Sequence, residues 1–253
     1  MSSACLKRAR PSTKSTNDHL MNRAPFWLVI PAAGIGARMQ ADRPKQYLQV
    51  AGRCIIEHSL DCFLEHPDLL GVVVCLAPDD PYWPTLACSR DPRITRANGG
   101  RERADSVLQG LLRLTEMGAG EQDWVLVHDA ARPNLSRVDL DLLLSELAND
   151  PVGGLLAVPA RDTLKRAGAD GRVTKTIDRR HVWHAFTPQM FRCGVLQHAL
   201  AEALVANVAI TDEASALEWA GQAPRLIEGR ADNLKITRPE DLEWLRQRWS
   251  AQP

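Results

Sequence analysis

Short runs of β-branched and leucine-rich residues alternate along the chain with longer stretches in which apolar positions recur every three or four residues. The apolar runs at 26–31, 72–77, 93–97, 124–128, 154–159 and 225–228 predict strands. Between them, 55–65, 103–117, 138–148, 194–206 and 212–220 predict amphipathic helices, and 239–249 closes the chain with one more. This alternation is the pattern of crossover units on a mostly parallel sheet, so the expected fold class is α/β. The segment 160–186 breaks it: 161–166, a turn at Ala169-Asp170-Gly171, and 172–178 read as a hairpin arm outside the main sheet. Residues 1–24 carry Ser, Thr and basic residues but little apolar material, and are expected to form a flexible tail ahead of a single domain at 25–253. Met21 stands just before the first strand and is a candidate natural start of translation.

In such a sheet the ligand lies at the carboxyl ends of the strands, which is where the conspicuous polar groups fall. The first strand runs into Pro31-Ala32-Ala33-Gly34-Ile35-Gly36-Ala37-Arg38-Met39, followed by Pro44-Lys45. Small residues let backbone N–H groups approach an anion closely, and Arg38 and Lys45 add two cations, an arrangement suited to a triphosphate undergoing chemistry. A dinucleotide-binding turn would need a third small residue where Met39 stands, and the Gly-Lys-Ser/Thr of a Walker loop occurs nowhere. The alternative is an ordinary strand-to-helix turn with a solvated Arg and Lys.

After the strand at 124–128 comes Asp129-Ala130-Ala131-Arg132. An Asp at a strand end can accept hydrogen bonds from ribose or substrate hydroxyls or support a divalent cation, and an Arg three residues on can grip phosphate. Gly99-Gly100-Arg101-Glu102-Arg103-Ala104-Asp105-Ser106 offers flexible backbone and the Ser106 hydroxyl for a base edge, or else a loop and a solvated first helical turn. Lys235 adds a cation after the last short strand.

Charge narrows the partners: Lys+Arg and Asp+Glu are equal at 31 each, so no global field favours nucleic acid or an anionic membrane, and a basic site must be local. No apolar run approaches the roughly 18 residues of a membrane span. Residues 1–24 lack the apolar centre of a signal peptide, and the expected location is cytoplasmic. The six cysteines, Cys5, Cys54, Cys62, Cys75, Cys88 and Cys193, show no paired spacing and read as reduced thiols.

The ordered set PAAGIGARM, PKQY, GGRERADSV, VHDAARP, RDTLKR, IDRRHVWHAFTPQ, ITDEASALE and GRADNLKITRPEDL resembles the 2-C-methyl-D-erythritol 4-phosphate cytidylyltransferases of the non-mevalonate isoprenoid pathway, from about residue 27 to 245. The resemblance implies a Rossmann-like nucleotidyltransferase fold. It also implies a Mg²⁺-dependent reaction of CTP with methylerythritol phosphate that gives the CDP-alcohol and pyrophosphate, the cation being held mainly by the triphosphate. By the same carry-over Arg38 and Lys45 stabilise the transition state, and Arg179 and Lys235 position the nucleophilic phosphate. Ala32, Ala33, Gly34, Gly100, Ser106 and Asp129 fall on the nucleotide side, while Asp129, Arg132, Thr163, Thr187 and Thr211 fall on the methylerythritol phosphate side. Arg101 stands where some relatives have an acidic residue, so only backbone contacts are expected there. The resemblance makes the hairpin a dimerisation arm, with Arg179 completing the partner's site in a homodimer; the alternative is an arm folded back on its own domain. Two other readings stay open: a cytidylyltransferase of the ribitol 5-phosphate type, and a nucleotide-binding protein without catalysis. A second, cyclising domain of the kind found in bifunctional fusions is not expected.

Overall fold

The structure is a computed structural model that describes residues 24–250 except Ile35, Ala37, Arg38 and Gln40; the tail through residue 23 and Arg38 lie outside the described residues. In chain order its strands are β1 (Phe26–Pro31), a small hairpin of β2 (Gln49–Val50) and β3 (Arg53–Cys54), β4 (Leu69–Leu76), β5 (Ile94–Asn98), β6 (Trp124–Val127), β7 (Gly153–Pro159), β8 (Leu164–Ala167), β9 (Val173–Ile177), β10 (Trp183–Arg192) and β11 (Arg225–Glu228). The helices are α1 (Ile55–Leu64), α2 (Arg103–Glu116), α3 (Arg137–Leu147), α4 (Cys193–Val205), α5 (Glu213–Trp219) and α6 (Pro239–Ser250). All six expected strands and all six expected helices form, with ends shifted by a few residues.

Seven strands make the sheet, in the order β11-β7-β10-β6-β1-β4-β5. From β1 the chain moves outward to β4 and β5, then returns to β6 on the other side of β1, and both neighbours of β1 are parallel to it. Successive strand residues face opposite sides. Phe26, Leu28 and Ile30 therefore pack with Leu60, Phe63, Leu140 and Leu144 of α1 and α3. Val29, Val73 and Val125 pack with Val107, Leu111, Leu196 and Leu200 of α2 and α4. A smaller apolar cluster of Met39, Val50, Ile55, Ile236, Leu242 and Leu245 fastens α6 beneath the region that follows β1.

One strand escapes the sequence pattern: β10 begins at Trp183, so residues 183–186, read above as part of an arm outside the main sheet, belong to that sheet. β10 lies between β6 and β7 and runs antiparallel to both. Pro188 cannot donate to a ladder, so a proline inside an apolar run argues against a central strand. The structure absorbs it where the pairing with β7 breaks between Ala185 and Gln189. Strands β8 and β9 form the arm as a separate antiparallel ribbon, Leu164 opposite Ile177.

Candidate active site

The return of the chain around β1 leaves a crevice at the carboxyl ends of β1 and β6. A cavity of about 310 Å³ opens there. Its walls come from Ala32, Ala33, Gly34 and Gly36 after β1, Lys45 and Gln46 from the short turn Lys45–Tyr47, and Gly100, Arg103 and Ser106 before and within α2. Asp129 and Lys235 complete it.

Two glycines make this closeness possible. Gly36 has φ +67, a left-handed conformation that side chains rarely adopt, and a Cβ there would sit 3.0 Å from Cγ of Lys45. A Cβ on Gly99 would lie 2.3 Å from Cβ of Ala33, so only glycine lets the loops after β1 and β5 touch. The turn that carries Lys45 is pinned from three sides. Gln46 Nε2 donates to the Ala32 carbonyl at 2.7 Å, and the buried Tyr47 hydroxyl donates to Asp80 at 2.8 Å. Lys45 Nζ donates to the Ile236 carbonyl at 3.0 Å, above the apolar cluster of α6. Ser106 Oγ accepts the Gly100 N–H at 3.0 Å and donates to the Glu102 carbonyl, which shapes the glycine turn.

Asp129 is the electrostatic centre, only 5% exposed. Its Oδ2 takes Arg132 Nε at 3.1 Å and Lys235 Nζ at 3.0 Å, and its Oδ1 takes Arg103 Nε at 3.1 Å. Burial works against the charge, but Arg103, Lys235 and Arg132 outweigh it and hold the carboxyl well below the usual carboxylate range. Burial also works against the charge on Arg103, and there Glu213 and Asp129 prevail and raise its pKa. Arg132 is fixed in turn: it donates to the Asn233 carbonyl at 2.7 Å and lies over the Phe186 ring at 4.7 Å.

Below Asp129 the support is a chain of hydrogen bonds. Thr187 Oγ1 accepts the Asp129 N–H at 3.1 Å and shares a hydrogen bond of 3.0 Å with His128 Nδ1. His128 Nε2–H donates to the Arg132 carbonyl at 3.1 Å. Burial pushes its pKa down to about 4. An unfolded histidine takes up its proton near pH 6.5 and the folded one only near 4, so this contribution to stability is complete above 6.5 and is lost as pH falls through 4. The loss amounts to roughly 3 kcal/mol at most. Burial lowers the His66 pKa too, which acts in the same direction. The urea midpoint is therefore expected to fall between pH 6.5 and 4.5, and a flat midpoint there would contradict a neutral buried His128.

Of the expected site residues, the cavity gathers Ala32, Ala33, Gly34, Lys45, Gly100, Ser106, Asp129 and Lys235. Arg132 and Thr187 lie beneath it, each 7% exposed or less, with their polar groups committed within the fold. Thr163 and Arg179 are exposed on the arm, and Thr211 is exposed before α5 with its N–H on Ser215 Oγ; none of the three walls the cavity of its own chain. Gln46, Arg103 and Glu213 join the site without a signal in the sequence that singles them out. Arg103 and Glu213 are 110 residues apart, and no local pattern joins them.

Fold and site together define an α/β nucleotidyltransferase: a glycine-lined crevice at the switch of a mostly parallel sheet, with Lys45 at its rim and a carboxylate held among three cations. The family model for IspD, 2-C-methyl-D-erythritol 4-phosphate cytidylyltransferase, matches residues 26–246, and the chain belongs to that family. It is 76% identical over 224 residues to the protein of that name from Ectopseudomonas mendocina, spanning 88% of this chain and 95% of the relative. The protein of the same name from Pseudomonas entomophila is 75% identical over 225 residues, spanning 89% and 96%. Among solved structures, a 4-diphosphocytidyl-2C-methyl-D-erythritol synthase superposes with a TM-score of 0.77 at 39% identity, covering 89% of this chain and 98% of that one. The cytidylyltransferase from Francisella tularensis does so with 0.76 at 35% identity, covering 88% and 99%.

Proposed function

We propose that this protein transfers the cytidylyl group of CTP to 2-C-methyl-D-erythritol 4-phosphate, giving 4-diphosphocytidyl-2-C-methyl-D-erythritol and pyrophosphate. The observation that carries the reading is the convergence of the glycine loop, Lys45, Asp129 and Lys235 on one cavity, in a chain 76% identical to a relative named for this activity. A phosphate oxygen of the alcohol attacks the α-phosphorus of CTP as the bond to pyrophosphate breaks on the opposite side. Negative charge builds on the α-phosphoryl oxygens, so catalysis is positioning and charge stabilisation, with no covalent intermediate. Lys45, held at the rim before substrate arrives, faces that charge, and the family resemblance gives Arg38 the same role. Backbone groups of Ala32, Ala33 and Gly100, with Ser106, read cytosine. Asp129 receives hydroxyls, and Lys235 turns from Asp129 to the incoming phosphate.

Among the described residues no group of three or more His, Cys, Asp and Glu could hold a metal, and Asp129 is already engaged by three cations. The described protein groups do not form a cation cage, and Mg²⁺ is assigned to the triphosphate oxygens, as suits a hard, well-hydrated ion. The cytoplasm is the proposed location. The free cysteines Cys54, Cys62, Cys75, Cys88 and Cys193 fit a reducing compartment, and no described helix is long and apolar enough to cross a membrane.

The arm is assigned to a homodimer interface. Its support is that β8 and β9 are exposed almost throughout, with Val173 at 63%, and a lone two-stranded ribbon is marginally stable in water. Arg179, beyond its end, then completes the partner's site. Arg179→Ala is expected to be inactive alone and to regain partial activity when mixed with Lys45→Ala under subunit exchange. Demonstrated exchange without recovery would contradict a shared site.

The test of the reaction is pyrophosphate release from CTP with Mg²⁺, offering methylerythritol 4-phosphate and ribitol 5-phosphate in parallel. Selective turnover of the first is expected. Turnover of the second alone would move the substrate, and turnover of neither would contradict the enzyme reading.

A further inference from the structure

We propose that Glu213 is a positioning residue of this site, acting through Arg103 on Asp129. The inference rests on the transfer reading above for what Asp129 does, and on geometry for how Asp129 is held. Glu213 opens α5, is 1% exposed and does not wall the cavity. Its place is set by β10: Gln189 Oε1 accepts the Ala214 N–H at 2.8 Å, and Gln189 Nε2 donates to Asp212 at 2.9 Å. From there the Glu213 carboxylate receives both terminal nitrogens of Arg103, one on each oxygen.

The consequence lies in how many acceptor positions Asp129 keeps. A carboxylate offers about four. Among the described residues Oδ2 takes two donors, from Arg132 and Lys235, whereas Oδ1 takes one, from Arg103 Nε. A guanidinium prefers to grip a carboxylate with two parallel donors. Each terminal nitrogen of Arg103 keeps a second N–H, but the Glu213 clamp fixes how the guanidinium sits, and in that pose only Nε bonds Asp129, which preserves room on Oδ1 for a substrate hydroxyl. Without the Glu213 charge, Arg103 is free to fork onto Asp129 and take that position itself. Glu213 thus sets the orientation of a group it never touches.

The test uses Glu213→Gln in the full chain, with Glu213→Asp as a second variant should the first fold poorly, and circular dichroism as the check on folding. The expected result is a rise of about tenfold, one hydrogen bond's worth, in KM for at least one of the two substrates. Combined with Asp129→Asn, the Glu213→Gln change is expected to add no further rise, because both act at one acceptor. A purely structural glutamate would lower the active fraction and kcat, leave both KM values unchanged, and add its effect to that of Asp129→Asn; that pattern would overturn the inference. Failure of the transfer reading is separable, since it would show as an inactive parent protein. The crystal structure of Glu213→Gln then decides alone: Arg103 forked onto Asp129 supports the inference, and Nε still bonded singly to Oδ1 overturns it.

Discussion

Replacing Lys45 by alanine is expected to lower turnover on the order of 10²-fold or more while leaving the fold intact. The turn Lys45–Tyr47 is fixed by Gln46 on the Ala32 carbonyl and by the Tyr47 hydroxyl on Asp80, and neither bond involves the Lys45 side chain. Among the described residues its Nζ donates to the Ile236 carbonyl at 3.0 Å, a partly buried contact whose loss costs about 1 kcal/mol of stability. On the proposed mechanism the same ammonium faces charge in the transition state that does not exist in the ground state. The loss should therefore fall mainly on kcat. Single-turnover kinetics with CTP in excess measures it, and near-normal turnover would remove Lys45 from the mechanism.

The second large effect is expected at Asp129, on stability as well as activity. Arg103, Arg132 and Lys235 converge on this one buried carboxylate, and Arg132 is itself only 7% exposed. Asp129→Ala leaves three cations facing one another, and removing one partner of a buried ion pair is destabilising by roughly 3 to 5 kcal/mol. Asp129→Asn keeps the shape and an acceptor oxygen and should be milder. Urea denaturation of the two variants orders them, and a fully stable alanine variant would contradict the view of Asp129 as the anchor of the network. Acid should expose the same dependence: the carboxyl is held well below its usual range, so its contribution is complete above about pH 4 and is lost as pH falls below that.

Much of this was legible along the chain because the signals were local. The apolar runs and the periodic stretches located the six strands and six helices, and glycine spacing with nearby cations located the crevice. Asp129 was legible because it stands at the carboxyl end of a strand, where a sheet of this kind binds its ligand. What escaped was long-range. Pro188 hid β10, since a proline normally bars a central strand, and β10 is the strand that brings Thr187 under Asp129 and sets Gln189 against α5. Arg103 read as a solvated residue in the first turn of α2; the fold instead presses that turn against the end of β6 and gives it Glu213 as a counter-charge. Gln46 was likewise silent, because its partner is a backbone carbonyl that only the folded loop presents.

The central claim is that the crevice at the ends of β1 and β6 seats CTP in one orientation. A crystal structure with CTP bound tests it most directly. Triphosphate oxygens are expected within hydrogen-bond distance of the loop after β1 and of Lys45 Nζ, with cytosine against Gly100 and Ser106. A nucleotide bound elsewhere, or one with its base at Lys45 and its phosphates toward Ser106, would contradict it.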